Sequence, residues 1–363
     1  FGQDSSFAGN KTPQGNQDAN GIGDFYYAPP AGFLALCTQN LPDATVIPSE
    51  HFNTVLWTGT GVAQSITTGF DTDLVWTKAR NQTYDHNLFD SVRGALIKLS
   101  SNSTAAESSM TNSVTSFDTD GFTLGDTAQV NLNGATFVAW NWKAGGTAVS
   151  NTNGSITSSV SANPSAGFSI VSWTGTGAVL TAGHGLSQKP ELIITKDRDG
   201  TAQWIVYNVD IGATGRLILS ATNADDITNA IFFNNTEPTS TVFTNGTYNN
   251  TNGGRNISYC FHSVDGYSKV GSYTGNGSTD GTFVNCGFKP AWVMVKRTDA
   301  AQDWMMFDNT RNPENATNLY LQPNTSSAEA SGIGDGVDFV SNGVKVRSTN
   351  PTVNGSGATY IFL

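Results

Sequence analysis

"VLWTGTG", residues 55–61, returns as "VSWTGTG", residues 171–177, and in looser form as "GSYTGNG", residues 271–277. Each copy reads as a strand that ends on an aromatic residue and enters a glycine turn. The spacing downstream shows that the echo marks a repeat. Some 21 to 23 residues after Trp57, Trp173 and Tyr273 comes an apolar run ending in lysine: "LVWTK" to Lys78, "LIITK" to Lys196 and "WVMVK" to Lys296. Eleven residues beyond each lysine stands Phe89, Tyr207 or Phe307. Then follow "IKLSSNSTAAE", "LILSATNADD" and "LYLQPNTSSAE", next "FDTDGFTL", "VFTNGTY" and "FVSNGVKV", and last "TFVAWNW", "ISYCF" and "TYIF". Landmarks recurring in one order make three homologous units in tandem.

The interval between first aromatics is 116 and then 100 residues, and the excess matches the polar, small-residue stretch at 145–167. Periods this long exceed those of solenoids, so each unit is expected to carry its own core. The organisation read from the sequence is the end of a preceding domain over 1–48 and a first unit over 49–146. A linker over 147–167, a second unit over 168–266 and a C-terminally truncated third over 267–363 complete it. The chain opens at Phe1 rather than Met and stops at "ATYIFL", so a piece of a longer polypeptide is expected.

Within a unit, apolar runs of four to seven residues alternate with Gly/Asn/Ser/Thr turns, and no helical period persists. The fold class is therefore all-β, as tandem antiparallel β-sandwich domains with aromatic cores. In "LVWTK" Leu74, Trp76 and Lys78 share one face and Val75 and Thr77 the other. The lysine at the strand end is expected to cover the core edge with its stem and hold its charge in water. Asp120-Gly121, Asn245-Gly246 and Asn342-Gly343 predict type I′ hairpins. "FLALCT", residues 33–38, predicts one strand ahead of the first unit.

Bulk composition removes several function classes. The formal net charge is −11 and no stretch concentrates Lys or Arg, which argues against a nucleic-acid partner. No apolar run approaches the ~20 residues that cross a bilayer, and nothing resembles a signal peptide, so no membrane insertion is expected. Cys37, Cys260 and Cys286 form no metal-like spacing and read as small apolar groups.

Two segments carry a resemblance. "FGQ…FYYAPPAGFLALCTQNLP" resembles the last segment of SPRY-like, concanavalin-type domains of phage tail-fibre and tail-spike-associated proteins. "WTGTG…LVWTKAR…HNLFDSVRGA…LSSNSTAAE…TSFDTDGFTLG…FVAWNWKAGG" resembles a module that recurs in structural proteins of marine tailed phages. The first unit follows it almost end to end; in the others "VRGA" becomes "DIGA" and then "TRNP". The resemblance implies concanavalin-like jelly rolls, a virion (extracellular) location and a homotrimer. It carries no established catalytic residues, so none is transferred.

Concanavalin-like folds also host glycoside hydrolases, which pair two carboxylates about 5–5.5 Å apart when they retain configuration. Here the glutamates are scattered, and Asp71/Asp73, Asp118/Asp120 and Asp197/Asp199 sit beside turns, where aspartate caps and bends the chain. His51, His86, His184 and His262 match no metal or catalytic spacing, and "GHGLS" lacks the nucleophile elbow. A non-enzymatic chain is expected, with no cofactor except that Asp118, Asp120, Asp197 and Asp199 could donate to a loop calcium.

The active role with most weight is glycan binding, in which sugars stack on aromatic faces and Asn/Asp side chains bond their hydroxyls. The candidates are aromatics off the core pattern with polar neighbours: Tyr84 and Asp85; Tyr248, Asn249 and Asn250; Tyr267; Asp303 and Trp304. Three sites at ~1 mM would gain about 10²–10⁴ in avidity when displayed together. The reading is thus a phage virion appendage, a tail or head fibre, whose partners are other virion proteins and a host-surface glycan or receptor. Two alternatives stand beside it: a structural spacer or capsid-decorating protein without ligand, and a bacterial secreted carbohydrate-binding adhesin.

Overall fold

The computed structural model describes residues 5–35, 37, 40, 46–225, 230–332, 334 and 336–363. The chain divides into two compact units, Phe1–Thr45 and Val46–Leu363. The first is organised around Asp18, whose carboxylate accepts from the backbone N–H groups of Asn20, Ile22 and Ala35 and from Asn40 Nδ2. Desolvation works to raise its pKa, and these donors outweigh that and lower it to about 2. The strand expected over 33–38 is not formed at residues 33–35, which carry no regular structure; Leu36 and Thr38 lie outside the described residues.

Among the described residues the strands lie in the second unit. The first module contains β1 (Phe52–Thr58), β2 (Gln64–Thr67), β3 (Leu74–Ala79), β4 (Asn87–Asp90), β5 (Ile97–Lys98), β6 (Ser108–Ser109), β7 (Val114–Asp118), β8 (Gly121–Leu124) and β9 (Thr136–Trp142). The second contains β10 (Val149–Asn151), β11 (Ser158–Asn163), β12 (Phe168–Thr174), β13 (Leu180–Gly183), β14 (Leu192–Asp197), β15 (Ile205–Asn208), β16 (Leu217–Ile218), β17 (Val242–Asn245) and β18 (Arg255–Phe261). The third contains β19 (Gly271–Thr274), β20 (Phe283–Asn285), β21 (Trp292–Arg297), β22 (Met305–Asp308), β23 (Val337–Val340), β24 (Gly343–Val346) and β25 (Thr359–Phe362).

Each module has one main antiparallel sheet, in order β1-β9-β3-β4, β12-β18-β14-β15 and β19-β25-β21-β22, faced by a smaller sheet. The smaller sheets are β2-β8-β7, β13-β17 and β20-β24-β23. The fold is all-β, as expected. The stretch read as a linker is folded instead: β10 and β11 pair with one another and extend the second main sheet past β12. Small polar residues suit a linker, but Val160 at 3% exposure supplies the apolar anchor that a free linker lacks.

Strand alternation decides how the sheets stack. In the first module Val75, Phe89, Phe137 and Ala139 point toward the small sheet, meeting Phe122, Leu124 and Val114. The opposite face of the same strands, Leu74, Trp76, Leu88, Val138 and Trp140, is just as apolar and just as buried. It joins a central core shared with Ile170, Ile194, Trp204 and Tyr259 of the second module and Met294, Trp304, Met306 and Ile361 of the third. Each module has a core of its own, and a further core is shared by all three. Three sandwiches close on one another.

The ring closes with a cyclic hydrogen-bond pattern. Glu107 N–H donates to Arg198 O at 2.8 Å, Asp225 N–H to Thr298 O at 2.7 Å and Glu329 N–H to Arg80 O at 2.7 Å. Acceptors lie two residues past the repeat lysines, so module one touches two, two touches three and three touches one. The arrangement is pseudo-threefold within a single chain.

The "WTGTG" phrase is explained by a buried asparagine at the end of each module. Asn131 Oδ1 accepts from Thr60 N–H, and its Nδ2 donates to the carbonyls of Val62 and Gly125. Asn250 holds Thr176, Ala178 and Gly246 in the same way, and Asn354 holds Asn276, Ser278 and Ser348. Asn131 and Asn354 end the single-turn helices α1 (Ala128–Asn131) and α2 (Pro351–Asn354). The first glycine of each phrase is needed because the loop presses on this corner: a Cβ at Gly59 would stand 2.1 Å from Leu132 O.

Two sequence expectations are corrected here. The hairpins β7–β8 and β23–β24 form, but they turn on Thr119-Asp120 and Ser341-Asn342, none of which has positive φ. Glycine follows these turns because the neighbouring strand is close; a Cβ at Gly121 or Gly343 would meet Ile66 O or Val284 O at 2.0 Å. Asn245-Gly246 lies at the far end of β17 and makes no such turn. The repeat lysines do not reach water either. Lys78, Lys196 and Lys296 are 0% exposed, on the inner face, and each Nζ donates to the carbonyl of the next residue.

Two outcomes follow from these buried groups. Asn131→Ala strands several buried donors and acceptors and is expected to cost about 2–3 kcal/mol of stability, read from the denaturant midpoint; a cost under roughly 0.5 kcal/mol would refute the clamp. Desolvation lowers the pKa of each repeat lysine from 10.5 to about 8. Between those values the unfolded chain binds more protons than the folded one, so stability rises with pH. We expect unfolding free energy to climb from pH 8 to 10 and Lys196→Met to flatten that climb; a flat wild-type profile would contradict it.

Candidate functional site

The residues expected to bind glycan do not gather on one face. Trp304 is 1% exposed, and its Nε1 donates to Ile218 O of the second module at 2.8 Å. Its ring is a core element, closed to a sugar. Asn250, also 1% exposed, is spent on the loop clamp. Asp85 and Asp303 occupy equivalent places seven residues after their lysines, and each accepts from an asparagine, Asn102 or Asn324, at 2.7 Å. Those asparagines in turn accept from the N–H groups of His86 and Trp304. Asn249 Nδ2 bonds Gln203 O, the matching position of the second module. Tyr84, Tyr248 and Tyr267 are half-buried, the first two against their own module cores.

The candidate calcium ligands serve as local braces. Asp118 accepts from Ser116 Oγ and Thr123 Oγ1 within its hairpin, and Asp120 is exposed at the turn. Asp197 accepts from the N–H groups of Asp199 and Gly200, while Asp199 is bidentate to Arg255. Among the described residues no group of three or more His, Cys, Asp or Glu is placed to hold a metal ion.

Two buried ion pairs went unread. Asp90 and Arg93, and Asp308 and Arg311, pair at 2.6 and 2.5 Å with side chains 0% exposed. Asp90 also accepts from Tyr259 Oη of the second module at 2.7 Å, and Asp308 from Trp140 Nε1 of the first at 3.1 Å. Burial pushes the Tyr259 phenol well above its usual pKa, so it stays a donor. Around them Arg198 binds Glu107 and Arg80 binds Glu329 across the same two seams. The seam between modules two and three substitutes Asn208 and Ile211 for the Asp–Arg pair. The D-x-x-R spacing in "DSVR" and "DNTR", absent from "NVDI", was the signal available in the sequence.

All three modules present side chains to an open space at the end of the ring near the starts of β1 and β12. There Phe52, Trp142, Phe168, Phe261, Trp292 and Leu363 wall a cavity of about 120 Å³. Rings meet at 4.9 Å for Phe52–Trp142, 5.5 Å for Trp142–Trp292 and 4.8 Å for Phe168–Phe261. Tyr267, from the glycan candidates, also lines this cavity, with its edge toward His51 at 6.0 Å. Burial raises the Tyr267 phenol and raises the nearby Cys286 thiol to about 11, the Lys269 charge only partly opposing the latter. Burial, and then the Lys143 charge, lower His51. Thiol and phenol are therefore protonated near neutrality, and the cavity offers aromatic surface rather than a poised nucleophile.

No curated protein and no solved structure matches the chain. A family model does: residues 47–363, all three modules of the ring, match the Domain of unknown function (DUF7483), and the chain belongs to that family.

Proposed function

We propose that the chain is a non-enzymatic structural component of a tailed-phage virion, a segment of a tail or head fibre that holds three sandwiches as one rigid body. The resemblance of its first module supplies the virion context. The observation that carries the rigid role is the central core, to which Trp140, Tyr259 and Trp304 from three different modules contribute. Beads on linkers would reorient independently; sheets that bury both faces do not. Because the ring already closes within one chain, homotrimer assembly would stack finished rings rather than complete a core.

Among the readings of that component, the spacer or decorating role gains from the burial of Trp304 and Asn250 and from the bonding of Asp85 to Asn102 and of Asp303 to Asn324. Attachment to a host-surface glycan or receptor rests on the half-exposed Tyr84, Tyr248 and Tyr267. Immunogold electron microscopy with an antibody to the full chain tests the location. Gold on the tail or head fibres of phage particles is expected. Label confined to a secreted bacterial fraction would replace this reading with the adhesin.

A further inference from the structure

Eight residues after each repeat lysine stands a ring that faces a seam: His86, Trp204 or Trp304. In two seams it is tryptophan, and the indole N–H donates to a backbone carbonyl of the preceding module. Trp204 reaches Ser100 O at 2.9 Å and Trp304 reaches Ile218 O at 2.8 Å. In the seam between the third module and the first it is His86, which is fully buried. Its Nδ1 accepts from Trp76 Nε1 at 3.0 Å, so the neutral ring carries its proton on Nε2. The Gln322 carbonyl of the third module stands near the ring, yet Nε2 completes no hydrogen bond among the described residues. This seam joins modules that are not consecutive in the chain, and it is the one that closes the ring.

We infer that the closing seam is an acid-labile latch, loosened ahead of the other two when His86 takes up a proton. The incoming proton goes to Nδ1, the atom that accepts from Trp76, and sets two N–H donors against each other at 3.0 Å. The resulting imidazolium is a buried cation beside other cations. Lys78 of β3 and Arg311 of the third module both oppose its charge. The carboxylates of the seam are engaged elsewhere. Asp85 accepts from Asn102, Glu329 pairs with Arg80 and Arg311, and Asp308 is held by Arg311 and by Nε1 of Trp140, on whose ring His86 stacks. Burial first, and then Lys78, hold the His86 pKa well below 6.5. Below that pH the opened seam binds a proton that the closed seam refuses, so closure weakens by about tenfold per pH unit. Tryptophan does not titrate, and the seams of Trp204 and Trp304 lack this response. The inference is independent of the proposed function.

The repeat supplies one reporter per seam, the amides of Glu107, Asp225 and Glu329, each bonded to a carbonyl of the adjoining module. Hydrogen exchange of the full chain is read as protection factors from about pH 7 to about pH 5. Glu329 is expected to lose protection by up to about tenfold per pH unit, with Glu107 and Asp225 lagging behind. His86→Gln, which keeps a neutral acceptor for Trp76 Nε1, is expected to bring Glu329 level with the other two. Parallel loss at all three amides of the unaltered chain, a flat Glu329 profile, or a loss that His86→Gln leaves unchanged would overturn the inference. If that variant does not fold, the comparison among the three amides of the unaltered chain decides alone.

Discussion

The structure depends on one constraint: the main sheet of each module is apolar on both faces. Val75, Phe89 and Phe137 require a small sheet on one side, and Leu74, Trp76 and Trp140 require a second cover on the other. No single ~100-residue sandwich can supply both covers. Three modules solve the problem together by turning their second faces toward a common centre. The short loops of each module and the asparagine clamps at its corners then fix the strands whose alternation creates the demand.

Polar groups that enter the shared core are there in matched sets. The repeat lysines donate to carbonyls of their own following loop, and Trp204 and Trp304 donate their indole N–H groups to Ser100 O and Ile218 O of the preceding module. At the third seam His86 replaces the tryptophan; it accepts from Trp76 Nε1 at 3.0 Å and stacks on Trp140 at 6.3 Å. Burial, with Lys78 adding to it, keeps this histidine neutral. Two seams carry buried Asp–Arg pairs, and the seam between modules two and three has Asn208 and Ile211 at the matching positions. Such pairs are weak evidence for stability.

Much of this was legible in the sequence. The threefold phrase, the fixed lysine-to-aromatic spacing and the alternation in "LVWTK" gave the strands, the faces and the repeat. Closure was not legible, because "LVWTK" reads the same whether its second face meets solvent-side partners or two sister modules. That ambiguity also explains the site errors. Trp304 looked like an aromatic off the core pattern because the pattern described one sandwich, and its core lies between sandwiches. Lysine at a strand end ordinarily snorkels; Lys78 instead donates to Ala79 O and Gln82 O, and just beyond it Arg80 is bonded by Glu329 of the third module. The stretch read as a linker is strand for a related reason, since in serine-rich β10 and β11 Val160 enters the second module's core with Ile156 and Ala162 packed beside it.

The central claim is that the three modules form one cooperative body, and residue-resolved hydrogen exchange of Trp304→Ala tests it most directly. Removing a buried tryptophan costs about 3–5 kcal/mol, and Trp304 belongs to the third module while bonding the second. If the core is shared, protection falls together in β3, β14 and β21, the central strands of all three main sheets. Protection lost in β21 and β22 alone, with β3 and β14 unchanged, would mean that the modules are stable independently and the account is wrong.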